Sequence, residues 1–170
     1  MRTMTDRSVV HGSFTIERVY RASPAQVFAA FAKEETKRRW FAEGKGWEVD
    51  EFTIDFRVGG RERSRFRFMR GPDAPAGTPP SGTPMGNDTV YMDIVPERRI
   101  VFAYTMSISD KPFSASLTTI ELHPKDGGTE LVLTEQGAFF EGSDGPELRE
   151  KGWRSLLAQL EHELATKADR

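Results

Sequence analysis

The chain contains no cysteine, which excludes disulfides, thiolate nucleophiles and cysteine-ligated metals together. Its histidines, His11, His123 and His162, lie far apart, and no two have metal-ligand spacing on one element, so no metal site is expected. No stretch is long or apolar enough to cross a membrane, and the N-terminal MRTMTDRSVVHGS lacks the apolar core of a secretory signal. The expectation is a cytoplasmic protein without membrane insertion. There is no GxSxG elbow, no phosphate-cradling glycine loop and no dinucleotide fingerprint. No catalytic constellation stands out and no cofactor is expected. A net charge of −2 argues against a general nucleic-acid binder.

What is present fits one domain. A chain of 170 residues can bury on the order of 70% of its unfolded surface. Hydrophobic content of 37% and aromatic content of 11%, with twelve Phe, describe a globular composition. GSFTIERVY alternates Phe14, Ile16 and Tyr20 with polar neighbours at the period of a half-buried strand, and Arg18 falls on the same face. SPAQ then carries a capping box, with Ser23 as cap, Pro24 at the first helical position and Gln26 to close it. The spacing predicts a short helix with Val27, Ala30 and Phe31 inward, then a second helical piece, KEETKRRWF, ending at Trp40 and Phe41. Strands are predicted around WEVDEFTIDFRV and RERSRFRFMR with a turn at Gly59-Gly60 between them. Residues 71–88 hold half of the ten prolines and four glycines and read as a long loop connecting a hairpin. Strand patterning resumes at YMDIVP, RRIVFAYTM, FSASLTTIEL and TELVLTEQ, and a long amphipathic helix closes the chain. Strands segregated from helices indicate an antiparallel α+β domain with the long helix across one face of a curved sheet.

Several constellations invite a functional reading. Arg61, Arg63, Arg65 and Arg67 share one face of a strand while Phe66 and Phe68 take the other. This ladder is either an anion-binding surface or a solvated face paired with carboxylates on neighbouring strands, and the acidic balance of the chain favours the second. Glu135 shares a strand face with Leu131 and Leu133, so it is expected in the interior. There it serves either as a polar group for chemistry or ligand recognition, or as half of a buried ion pair with Arg18. In the last helix Trp153, Leu156, Leu157, Leu160 and Leu164 form an apolar face, and Gly152 lies in line with Leu148 and Leu156. A glycine there costs about 1 kcal/mol relative to alanine, so it marks either close backbone packing or space left for something else. Phe102, Tyr104 and Met106 fall on the inner face of the sheet with Phe66 and Phe68, which points to a cavity between sheet and helix.

IERVYRASPAQVF, RRWF, DFRVGG, VYMDIVPERRIVFAY, GGTELVLTEQGAF and KGWRSLLAQL resemble, in order, the signature segments of one family. It is the family similar to the C-terminal domain of activators of the 90-kDa heat-shock-protein ATPase, within the START-like, or SRPBCC, superfamily. The resemblance spans roughly residues 13–164. It implies the helix-grip (START-like) fold, in which a curved antiparallel sheet wraps around a long C-terminal helix, with two short helices after the first strand and a deep cavity between. It also implies that the Gly152-Trp153 pair begins the stretch of helix passing over the cavity mouth.

The expected organisation is a flexible segment over 1–12, one START-like domain over 13–166 and a tail over 167–170. The expected function is binding of a small apolar molecule, with Arg18, Trp40, Phe66, Phe68, Phe102, Tyr104, Met106, Glu135, Gly152, Trp153 and Leu156 at the ligand. A cyclase- or dehydratase-like enzyme using Glu135, or an interaction module that contacts a chaperone, are the alternatives. A homodimer through an exposed strand edge is a further expectation.

Overall fold

Alternating apolar and polar residues set up seven strands whose inner face closes on one long helix. The structure, a computed structural model, describes residues 8–44, 46–69, 71 and 79–168. The elements are β1 (Val10–Tyr20), α1 (Pro24–Ala32), α2 (Glu34–Lys37) continuing as a π-helical turn over Arg38–Ala42, β2 (Trp47–Ile54), β3 (Arg61–Phe68), β4 (Pro84–Val95), β5 (Arg99–Ile108), β6 (Lys111–Lys125), β7 (Gly128–Phe139) and α3 (Gly145–Ala168). They form one antiparallel sheet in the order β1-β7-β6-β5-β4-β3-β2, so β1 and β2 are its edges. This is the α+β helix-grip arrangement.

Local chemistry explains the element ends. Ser23 caps α1 by accepting from the Gln26 backbone N–H at 3.2 Å, and the Gln26 side chain accepts in return from the Ser23 N–H at 2.9 Å. At the β6–β7 hairpin Asp126 (φ 49°) and Gly127 (φ 78°) both take the left-handed conformation that a tight two-residue turn needs. β2 ends at Ile54, short of the expected Val58, because residues 55–60 are spent on the turn into β3. A Cβ on Gly60 would stand 2.0 Å from the Asp55 carbonyl oxygen, so only glycine fits that turn.

Three boundaries differ from the sequence reading. β1 starts at Val10, pairing with Phe139, within the segment expected to be flexible. α3 runs to Ala168, past the expected end at 166. The 71–88 loop gives way to β4 at Pro84, since a proline is tolerated as the first residue of a strand and Arg67 pairs there. Its residues 72–78 lie outside the described residues.

The core fills the space between sheet, α1 and α3. Ile16, Ile120, Leu131, Leu133, Leu157 and Leu160 are fully buried, and Val27, Phe31 and Trp40 extend the cluster under α1 and α2. The buried face of α3 is Arg149, Trp153, Leu157, Leu160 and Leu164, one residue round from the line through Leu148, Gly152 and Leu156. Leu148 is 58% exposed, Gly152 is exposed and Leu156 half-buried. Gly152 therefore borders the core instead of facing it.

Candidate functional site

Strand register lays polar residues across the inner face in rows. Glu62, Thr89, Tyr104 and Ser116 are successive cross-strand partners on β3 to β6, and Ser64, Asn87, Met106 and Ser114 form the next row. Below the first half of α3 these rows build a buried polar centre. Glu135, wholly buried, accepts on Oε1 from the Tyr104 hydroxyl at 2.6 Å, the Trp153 indole N–H at 2.8 Å and the Thr118 hydroxyl at 3.0 Å. Its Oε2 accepts no hydrogen bond among the described residues and lies 3.7 Å from an Arg149 nitrogen. Burial raises the Tyr104 phenol far above its ordinary range; Arg149 opposes the rise and Glu135 adds to it, so the hydroxyl stays neutral and donates.

Arg149 is the cation of this centre. Its Nε and one terminal nitrogen hold both oxygens of Asp144 at 2.9 and 3.0 Å, and the terminal nitrogens also donate to Tyr104 at 3.0 Å, Ser114 at 2.8 Å and Ser116 at 3.4 Å. Those contacts use all five N–H donors of a guanidinium. A second buried cluster sits under α2, where Lys37 donates to Glu62 at 2.5 Å and Tyr91 donates to the same carboxylate oxygen. Lys37 also lies over the Phe41 ring at 4.8 Å. Among the described residues no group of three or more His, Asp or Glu side chains could hold a metal.

Beside the polar centre, between α3 and strands β2–β6 of the sheet, lies a cavity of about 480 Å³. Its wall is mostly apolar: Trp47, Phe66, Met85 and Phe113 from the sheet face Leu148 and Leu156 from the helix. α3 packs more closely on β1 than on any other strand, which leaves this side ajar. Gly152 lines the opening, and a Cβ there would meet nothing within 4 Å. The glycine leaves space and does not serve close packing.

Of the residues expected at a ligand, Phe66, Tyr104, Met106, Gly152, Trp153 and Leu156 line this cavity, and the other five do not. Arg18 is a correction: its ion pair is with Glu161 on α3 at 2.8 Å, and the charged neighbour of Glu135 is Arg149. Trp40 is core, donating to the Ala30 carbonyl at 2.9 Å and stacked edge-on to Phe31. Phe102 is sealed among Tyr91, Tyr104 and Trp153, and Phe68 packs against the Trp47 ring outside the lining. Glu135 lies behind Tyr104 and Trp153. Three of the four ladder arginines take the paired form: Arg63 meets Glu51, Arg65 meets Asp88, and Arg67 meets Glu48 and Asp50.

Comparison with known proteins places this architecture. A family profile described as "Activator of Hsp90 ATPase homolog 1-like protein" matches residues 21–165. The chain belongs to that family. Its fold is similar to that of the Mll3558 protein from Rhizobium loti, with 50% identity, a TM-score of 0.78 and coverage of 92% of this chain and 99% of that one. An uncharacterized protein from Rhizobium leguminosarum is similar at 36% identity and a TM-score of 0.81, covering 94% and 97% of the two chains. The CV1439 protein from Chromobacterium violaceum follows at 27% identity and a TM-score of 0.69, with coverage of 89% and 96%. No curated protein matches the chain.

Within this family member the sequence reading missed Arg149, Asp144, Asn87 and Ser64. Arg149 had a signal, since it lies four residues before Trp153 on the same helical face. Ser64 and Asn87 had none beyond strand alternation, because their juxtaposition depends on the β3–β4 register across a long connection.

Proposed function

We propose that the protein binds a small, mainly apolar molecule in the cavity between α3 and the sheet. The observation that carries this reading is the cavity itself: about 480 Å³, within the range of roughly 300–1,000 Å³ usual for small-molecule sites, with aromatic and aliphatic walls. Trp47 and Leu148, both exposed, stand at its margin, and Gly152 keeps its opening clear. The polar groups of the lining come from both walls, Ser64, Asn87 and Tyr104 from the sheet and Arg149, Ser155 and Gln159 from α3, so they can orient a ligand that the apolar surface holds. Glu135 supports no acid–base chemistry on a cavity ligand, because it is covered by the side chains it accepts from.

Native mass spectrometry of protein purified gently from its own host tests the reading. A small molecule retained at one per chain, released on denaturation, is the expected result. Bare protein that also fails to take up any apolar probe would overturn it. A chaperone contact, which the family's description brings to mind, would register in the same spectrum as a bound protein, and a homodimer across a sheet edge as a doubled mass.

A further inference from the structure

Taking the cavity as a ligand site, we infer that it selects an uncharged, mainly aromatic molecule whose single acceptor oxygen, a carbonyl or ether, meets the Asn87 amide and the Ser64 hydroxyl. The inference rests on the binding reading above and adds the ligand's charge and its polar contact.

Charge comes first. Among the described residues the cation lining the cavity is Arg149, and it is committed: every donor has a protein partner, and two carboxylates, Asp144 and Glu135, stand against its one guanidinium. An anionic ligand would enter an end already negative and would have to strip Arg149 from Asp144. Burying a charge without a partner is strongly unfavourable. A cation fares no better. Both Asp144 oxygens are held by Arg149, Glu135 is screened by Tyr104 and Trp153, and Glu43 at the rim is held by Arg38 at 2.8 Å.

The polar contact follows from what is left. Asn87 is 8% exposed and lines the cavity; its Oδ1 accepts from Thr89 at 2.9 Å, while its Nδ2 reaches only the Met106 sulfur at 3.3 Å. A thioether is a weak acceptor. Ser64, 3% exposed, is the direct cross-strand partner of Asn87, and its hydroxyl has no partner among the described residues. Two under-used donors side by side, next to polar groups whose own hydrogen bonds are already made, match one acceptor oxygen. The aromatic rings of Trp47, Phe66 and Phe113 around them favour a flat, unsaturated skeleton over a flexible chain.

The test compares fluorescent probes on one ring system: 6-propionyl-2-dimethylaminonaphthalene, which is neutral and carries a ketone, and its counterparts with a carboxylate or an aminomethyl group in place of the ketone. The neutral ketone is expected to bind one per chain, with both charged forms weaker by about tenfold or more. Asn87→Leu is expected to lower the affinity ratio of the ketone to N-phenyl-1-naphthylamine, which lacks a carbonyl, by about fivefold, the scale of one neutral hydrogen bond. Ser64→Ala is the second variant should Asn87→Leu fail to fold. A charged probe that binds as well as the ketone, or a ratio unmoved by both variants, overturns this inference while leaving the cavity as a binding site. If no probe binds, the binding reading itself falls.

Discussion

Glu135 shows how one buried carboxylate can organise a helix–sheet junction. Three donors from β5, β6 and α3 converge on one of its oxygens, so removing it strands a phenol and an indole in the interior. Glu135→Ala is expected to destabilise the fold by about 3–5 kcal/mol, as for other broken buried pairs, whereas Glu135→Gln, which keeps an acceptor, should cost about 1–3 kcal/mol. Equal losses in chemical denaturation would refute the hydrogen-bond account. Lys37→Met leaves Glu62 buried beside Tyr91 without its cation and should cost a similar 3–5 kcal/mol or so. Gly152 predicts the opposite sign. With open space around it, Gly152→Ala should leave thermal stability unchanged or raise it by up to about 1 kcal/mol through helix propensity, while Gly152→Leu should keep stability and block probe binding at the cavity mouth. A large loss of stability in either variant would contradict the observed space.

Elements divide into those with local instructions and those without. α1 carries its capping box in four consecutive letters, and Ser23→Ala should cost about 1 kcal/mol, measurable by urea denaturation. The β3 ladder was legible from alternation, and because the Arg63–Glu51 ion pair is exposed, Arg63→Gln should change stability by less than about 1 kcal/mol. α3 was legible as a helix but not in its orientation. Its apolar letters centre on Leu156, yet its first half lies over Ser114, Ser116, Thr118 and Glu135, so the buried position there goes to Arg149. An arginine reads as a surface residue until its partners are known.

At the scale of the whole molecule the three tyrosines of the chain, Tyr20, Tyr91 and Tyr104, are all buried, and burial lifts each phenol above its ordinary value of 10.0. A raised value in the folded state stabilises fully below the unfolded value and loses that contribution as pH rises above it. Stability should therefore decline above about pH 10, and phenolate absorbance should appear together with cooperative unfolding, not as a separate titration. A smooth titration near pH 10 in folded protein would mean that a tyrosine is accessible. Among the described residues no helix is long and apolar enough to cross a membrane. The sequence by itself determined the element order, the inward faces of the strands and the antiparallel α+β class, because periodicity and turn chemistry act between near neighbours in the chain. Tertiary structure alone decided which charges meet and where the cavity opens. Arg149 finds Glu135 and Asp144, while Arg18 finds Glu161. Those choices depend on how α3 rotates and tilts against the sheet, and that is set by the sum of distant contacts and not by any local pattern.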